Sequence, residues 1–288
     1  FSRPADRASS MDYEAELDAA VRAASAAMAA MGSDETDHRE AADTATKENV
    51  NDLVTAADRA SEDAIVAVLG ERFPADAVVG EEGTGEAYAG SGREWVVDPI
   101  DGTSNFAVGF PYYCVSIALA VDGVPQVGVV ASPPAALDRC YYGVRGEGAF
   151  VHDGVADLER AADLDGRPLS VTDQDGLSGA FVFGRLSERD AGRRRIDETV
   201  VRTLLDRGSK YRRTGSAALN LCQVAAGDAD GYVVLSLQPW DVAAGTLLVT
   251  EAGGTVSERP ARVEEDAIEI VASNGHLQAT LLEIVDET

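Results

Sequence analysis

The sequence predicts a layered α/β fold, and three observations carry that prediction. A helix-forming stretch opens the chain, a series of short apolar runs parted by glycine turns fills its middle, and strands alternate with helices in its last third. Residues 11–31 are alanine-rich with helical spacing, broken by Gly32-Ser33-Asp34. Residues 35–51 are polar, and a second amphipathic helix is predicted over 56–69, with Ala60, Ala64, Ile65 and Val68 on one face and Pro74 as its stop. Val78-Val79 reads as a short strand delivering Glu81 and Glu82, followed by a glycine-rich surface loop over 84–93. Runs at 113–121, 126–131, 139–144 and 149–151 are separated by turns at Asp122-Gly123, Gly146 and Asp153-Gly154. They predict an antiparallel meander with helices on one face. Beyond it, strands at 180–183, 231–235 and 268–271 alternate with helices at 196–207, 217–227 and 242–252. The expected division is an N-terminal α+β lobe over 11–155 and a C-terminal α/β lobe over 156–288. Residues 1–10 are set apart as an upstream extension.

Composition narrows the function classes. The chain has 24 basic against 50 acidic residues, a formal net charge of −26, and its only lysines are Lys47 and Lys210. Acidic excess with lysine avoidance is the surface style of proteins that work in molar salt, where the screening length shortens to about 3 Å. The plainer alternative is an ordinary acidic cytosolic protein. Either way, a polyanionic nucleic acid is disfavoured as a partner. Cys114, Cys140 and Cys222 sit in apolar runs and are odd in number, which points to reduced thiols in a cytoplasmic protein. His38, His152 and His276 are scattered, which argues against a zinc site or a histidine nucleophile. No apolar run approaches the roughly 18 residues of a membrane span.

The chemistry concentrates in Trp95-Val96-Val97-Asp98-Pro99-Ile100-Asp101-Gly102-Thr103-Ser104-Asn105-Phe106. A turn at Pro99 would bring Asp98 and Asp101 together, and two ionised carboxylates about 4 Å apart repel by roughly 4 kcal/mol at an effective dielectric near 20. Such a pair persists by sharing a proton or by holding a cation. Gly102 permits close approach of a ligand to the backbone, and the amides of Gly102 and Thr103 form a candidate anion nest. Carboxylates for a hard cation beside amides for phosphate indicate metal-assisted phosphoryl chemistry.

With Gly80-Glu81-Glu82 upstream and Trp240-Asp241-Val242-Ala243-Ala244-Gly245 downstream, this motif resembles the inositol monophosphatase family, whose superfamily includes archaeal-type fructose-1,6-bisphosphatases and phosphatases of 3′-phosphoadenosine 5′-phosphate. The resemblance runs from about Met11 to the C-terminus. It implies a five-layer αβαβα sandwich, a homodimer, and two or three Mg2+ ions per site, with Mn2+ as a substitute. Glu81, Asp98 and the carbonyl of Ile100 would bind the first ion, and Asp98, Asp101 and Asp241 the second. A third, weaker ion would lie near Glu81. Asp58 matches the residue that orients the Thr103 hydroxyl for proton transfer, so Asp58, Thr103 and Glu81 are the expected catalytic groups. Gly215-Ser216-Ala217-Ala218-Leu219-Asn220 matches the segment that contacts the sugar or cyclitol ring. With Asp101, Gly102 and Thr103, the residues Gly215, Ser216 and Ala217 are therefore expected to touch substrate.

Each assignment has a plainer competitor. Glu81 and Glu82 suit a solvent-facing pair, Asp241 suits a helix N-cap, and Asp58 suits a capping box led by Thr55. Lys47 suits either a phosphate contact or a loop surface. With no His, Cys or Ser motif, the attacking group is expected to be a metal-activated water. Val234 stands where animal inositol monophosphatases carry a ring-binding glutamate. Arg212 and Arg213 just ahead of Gly215 suit a second phosphate. The expected activity is hydrolysis of inositol-1-phosphate. The alternatives are fructose-1,6-bisphosphatase or dual sugar-phosphatase activity, and a non-catalytic interaction protein on the same fold. That last class would be expected to have lost a ligand, and none is lost.

Overall fold

Strands that are apolar on both faces need cover on both faces, and the middle of this chain is built that way. In the computed structural model, which describes residues 13–32, 47–83, 88–187, 190–262, 264 and 266–288, β1 (Ala77–Gly80) runs parallel to β2 (Arg93–Asp101). Antiparallel β3 (Cys114–Val121), β4 (Val124–Ser132), β5 (Arg139–Val144), β6 (Gly148–Asp153) and β7 (Arg167–Pro168) extend it into a seven-stranded sheet in sequence order. Side chains alternate between two cores. Val115, Ile117 and Leu119 of β3 enter one, while Cys114 and Ala118 enter the other. The Asp122-Gly123 hairpin takes positive φ at both residues, as predicted.

Helices cover both faces of this sheet rather than the one face expected. Helix α1 (Glu14–Ala30) lies on β3 and β4 through Ala19, Ala20, Ala23, Ala24 and Ala27, whose small side chains permit close packing. Beside it, α2 (Lys47–Arg72) starts well before the predicted residue 56, so Thr55 is inside the helix and the capping-box reading of Asp58 fails. The side chains of Lys47 and Thr55, and residues 1–10, lie outside the described residues.

A second sheet has the order β11-β12-β10-β8-β9, from β8 (Phe181–Gly184), β9 (Lys210–Arg212), β10 (Gly231–Leu237), β11 (Thr255–Pro260) and β12 (Ile268–Ser273). Helices α5 (Ala217–Ala225) and α6 (Pro239–Glu251) lie between the sheets, and α4 (Ala191–Asp206) and α7 (Gln278–Asp286) cover the outer face; the short α3 (Thr103–Ala107) follows β2. The result is the αβαβα stack. Strands β9 and β11 and helices α3 and α7 were not foreseen. Three- and five-residue elements leave no periodicity to read, and β11 is an edge strand carrying Glu258, Arg259 and Pro260. Helix α4 begins at Ala191 rather than 196, because Asp190 caps it through the amides of Gly192 and Arg193 ahead of a masking arginine run. Among the described residues, no helix is long and apolar enough to cross a membrane.

Candidate active site

Strand β2 does not turn at Pro99. It continues to Asp101 with a register shift, since Asp98 opposes Ser116 and Asp101 opposes Cys114. Three positions apart in a regular strand would place the two carboxylates on opposite faces. The extra residue of the bulge returns them to the same one. The amide of Ile100 closes the bulge on Asp98 Oδ1 at 3.0 Å. Asp241 joins them from α6, where it is not the N-cap but the third helical residue, its Oδ2 accepting the Gln238 amide at 2.7 Å. Carboxylate oxygens of Asp98, Asp101 and Asp241 lie within 4.8 Å of one another, a set that could hold a metal ion.

Asp101 is tied to the far sheet's layer. Its Oδ2 accepts from the Ser216 hydroxyl at 2.6 Å and the Ala218 amide at 2.6 Å, and its Oδ1 from the Ala217 amide at 3.1 Å. The carboxylate thus meets the N-terminus of α5, where partial positive charge favours it. Thr103 Oγ1 donates to the Ile100 carbonyl at 3.0 Å, so its proton goes there and not to Asp58. Gly102 adopts φ +98°, and a Cβ there would sit 3.0 Å from the Tyr112 carbonyl. Glu81 leaves β1 into the cleft, while the Glu82 amide bonds Glu62 Oε2 at 2.9 Å and its carboxylate faces Arg59 at 3.8 Å. Gly80 packs on that same buried Glu62, with a Cβ falling 2.4 Å from its carboxylate. Gly80→Ala is therefore expected to cost about 1–3 kcal/mol, read by thermal denaturation, and to displace Glu81 with a matching loss of turnover.

The electrostatics are those of a site short of positive charge. Burial, then the charges of Glu81, Asp101 and Asp241, raise Asp98 well above the carboxylate range. Burial and the neighbouring Asp101 push Asp241 up to about 7. Glu81 also rises to about 7, through desolvation first and Asp58, Asp101 and Glu82 next. Asp58, buried behind them, reaches about 7 through burial and the charges of Glu82 and Glu62. Carboxyls raised in the fold bind protons that the unfolded chain has already released. The cluster's contribution to stability is thus fullest below about pH 4 and is lost as pH rises to about 7. Metal-free protein should show that loss in melts run in chelator from pH 5 to 8, and a saturating divalent cation should remove it.

The cluster floors a cleft of about 800 Å³ whose walls include Gly102, Thr103, Gly215, Ser216, Ala217, Val234 and a half-buried Trp240. Arg213 lines it; Arg212 does not. The Arg212 guanidinium lies 4.9 Å over the Phe181 ring and donates to the Tyr211 carbonyl, which removes it from the expected substrate contacts. Arg185, Arg193 and Glu264 also line the cleft and were not foreseen, since Glu264 lies 71 positions from Arg193 and only the fold brings them together.

Residues 12–288 match the profile of the inositol monophosphatase family. The chain is 38% identical over 248 residues to inositol monophosphatase 3 of Solanum lycopersicum, covering 82% of this chain and 85% of that protein. It is 36% identical over 242 residues to Nus factor SuhB of Pasteurella multocida, covering 84% and 83%. Among solved structures, the inositol monophosphatase from Anabaena (Nostoc) sp. PCC 7120 superposes with a TM-score of 0.73 at 30% identity, covering 96% of this chain and 98% of that one. SaIMPase-II with inositol monophosphate bound superposes at 0.68 and 26% identity, covering 93% and 94%. By its sequence, its stacked sheets and the carboxylates its bulged strand brings together, the chain belongs to the inositol monophosphatase family.

Proposed function

We propose that this phosphatase hydrolyses inositol-1-phosphate to inositol and phosphate with Mg2+. The observation that carries the reading is the convergence of Asp98, Asp101 and Asp241 within 4.8 Å on the floor of a cleft that Gly102 and Thr103 also line. A crowded set of buried carboxylates, every one raised by its neighbours or by burial, fits a hard divalent cation. Glu81, Asp98 and the Ile100 carbonyl would hold one ion and Asp98, Asp101 and Asp241 a second, with a weaker third near Glu81 and Mn2+ as a substitute. When bound, such ions polarise the phosphoryl group and lower the pKa of the attacking water.

The chain's own residues do the remaining work. The amides of Ile100, Gln238, Ala217 and Ala218 and the Ser216 hydroxyl fix the three aspartates, so ligand orientation is set before substrate arrives. The first amides of α3, at Gly102 and Thr103, lack intrahelical acceptors and would take a phosphate oxygen. In the metal-free cluster Asp58 and Glu81 both lie near 7; a bound cation would hold Glu81 ionised as a ligand, which leaves Asp58 as the group to take up and return a proton at neutral pH. With the Ser216 hydroxyl and the Ala217 amide both spent on Asp101, the ring contacts in this segment fall to Gly215.

A bisphosphate sugar is the second reading, favoured by Arg185, Arg193 and Arg213 on the cleft wall. A cytoplasmic homodimer without nucleic-acid partners completes the proposal, on the three buried free thiols, the family resemblance and the −26 charge. Phosphate release from inositol-1-phosphate, fructose-1,6-bisphosphate and 3′-phosphoadenosine 5′-phosphate, with Mg2+ in molar KCl, tests it. Preference for the first is expected, and preference for the second installs the sugar phosphatase. Release from none leaves a binding protein on the same fold.

A further inference from the structure

Strand β10 leads directly into α6, so Ser236 precedes the cluster's Asp241 by five residues, a separation of at most about 17 Å. Both line the same cleft, so a ligand whose phosphate sits at the aspartates can reach the Ser236 wall with its organic part. Most of that wall is apolar here, being Val234, Leu235 and Leu237. The strand itself supplies Tyr232 and Ser236, and the wall's charged groups come from outside it. Glu264, between β11 and β12, reaches over and accepts the Ser236 hydroxyl on Oε2; the same oxygen accepts Arg193 Nη2 at 2.5 Å. Arg185 Nη1 donates to the Ser236 carbonyl at 3.4 Å, steadying the strand end from the other side. Both bonds to Glu264 land on Oε2, and among the described residues Oε1 takes none.

We infer that Glu264, oriented by Ser236 and Arg193, is an acceptor for hydroxyl groups on the organic moiety of the phosphate ester, so that the cleft selects polyol or sugar esters over esters lacking hydroxyls. This rests on the phosphatase reading above. A carboxylate with one oxygen doubly bonded has its plane fixed, and its second oxygen is a preorganised acceptor for an O–H group. The Ser236 hydroxyl, then Arg193, hold Glu264 below the ordinary range, so it stays ionised at neutral pH and acts as acceptor only. Asp197, the other carboxylate on this wall, is pushed upward by burial and already accepts the Ser187 amide at 2.7 Å. That leaves Glu264 as the better acceptor of the two.

The test compares kcat/KM on inositol-1-phosphate, fructose-1,6-bisphosphate and glycerol phosphate with kcat/KM on p-nitrophenyl phosphate, for wild type, Glu264→Ala and Glu264→Gln. The ratio of the best hydroxylated ester to the aryl ester should fall about tenfold or more in Glu264→Ala, mainly through KM, with a smaller fall in Glu264→Gln. Equal losses on both ester types, or no loss, would overturn the inference, as would a wild type that cleaves only the aryl ester. Wild type cleaving neither type would overturn the phosphatase reading instead. Calorimetric binding of inositol-1-phosphate then decides Glu264 separately, since unchanged affinity in Glu264→Ala rejects its role. Melting curves of both variants should stay within a few degrees of wild type, as the Glu264 side chain is 38% exposed.

Discussion

Asp98→Asn should reduce phosphate release by at least about a thousandfold while leaving the metal-free melting temperature unchanged or higher. The two halves of that expectation come from one fact. Asp98 is 1% exposed, and three neighbouring carboxylates, Glu81, Asp101 and Asp241, face it. In the cation-bound enzyme it is the one carboxylate proposed to serve both ions, so its loss disables both. In the metal-free enzyme that carboxyl must either hold a proton or repel its neighbours, and an amide, which cannot ionise, removes the conflict. Asparagine keeps an oxygen in place of Oδ1 for the Ile100 amide, so the bulge survives. The pH-dependent loss of stability predicted for metal-free protein should also flatten in this variant. Near-wild-type turnover would remove Asp98 from the metal site. A melting temperature several degrees lower would make it a structural residue.

Transfer from molar to about 0.05 M KCl should lower the melting temperature by roughly 10 °C or more, a loss of several kcal/mol for a chain this long. A net charge of −26 on 288 residues repels itself, and the screening length grows from about 3 Å in 1 M salt to beyond 10 Å below 0.1 M. Local ion pairs offset part of this. Arg259 and Arg262 both bond the buried Glu269, and Arg93 joins Glu16 to Asp76. Such pairs cannot balance the excess, since 24 basic residues face 50 acidic ones. Scanning calorimetry across KCl and tetramethylammonium chloride at fixed Mg2+ separates screening from specific ion effects. Parallel curves support screening, and a melting temperature indifferent to both salts would refute a surface adapted to high salt.

What the sequence made legible depended on whether a signal was local. Asp98, Asp101, Asp241 and Glu81 stand out because each borders an apolar run and has distinctive neighbours, and the structure gathers all four around one cleft. The bulge that unites Asp98 with Asp101 is a property of pairing with β3, and Pro99 in the motif suggested a turn instead. Arg212 and Arg213 are adjacent, and the end of β9 between them sends one to Phe181 and the other to the cleft. Nothing in the local sequence marks which of the two faces the cleft. Glu264 lies 71 positions from Arg193, a pairing that only the fold creates.

The placement of α6 constrains how this protein could be divided. A helix near the end of the chain forms the middle layer, packing on β2 through β6 of one sheet and on β11 and β12 of the other. During synthesis the first sheet is complete long before its inner wall exists, so Glu81, Asp98 and Asp101 wait, mutually repelling and uncovered, for a segment not yet made. Neither half is a module that recombination could exchange intact, because each would leave with an open hydrophobic face and a fraction of the carboxylates. Catalytic competence therefore waits on α6, since no earlier segment brings Asp241 to Asp98 and Asp101.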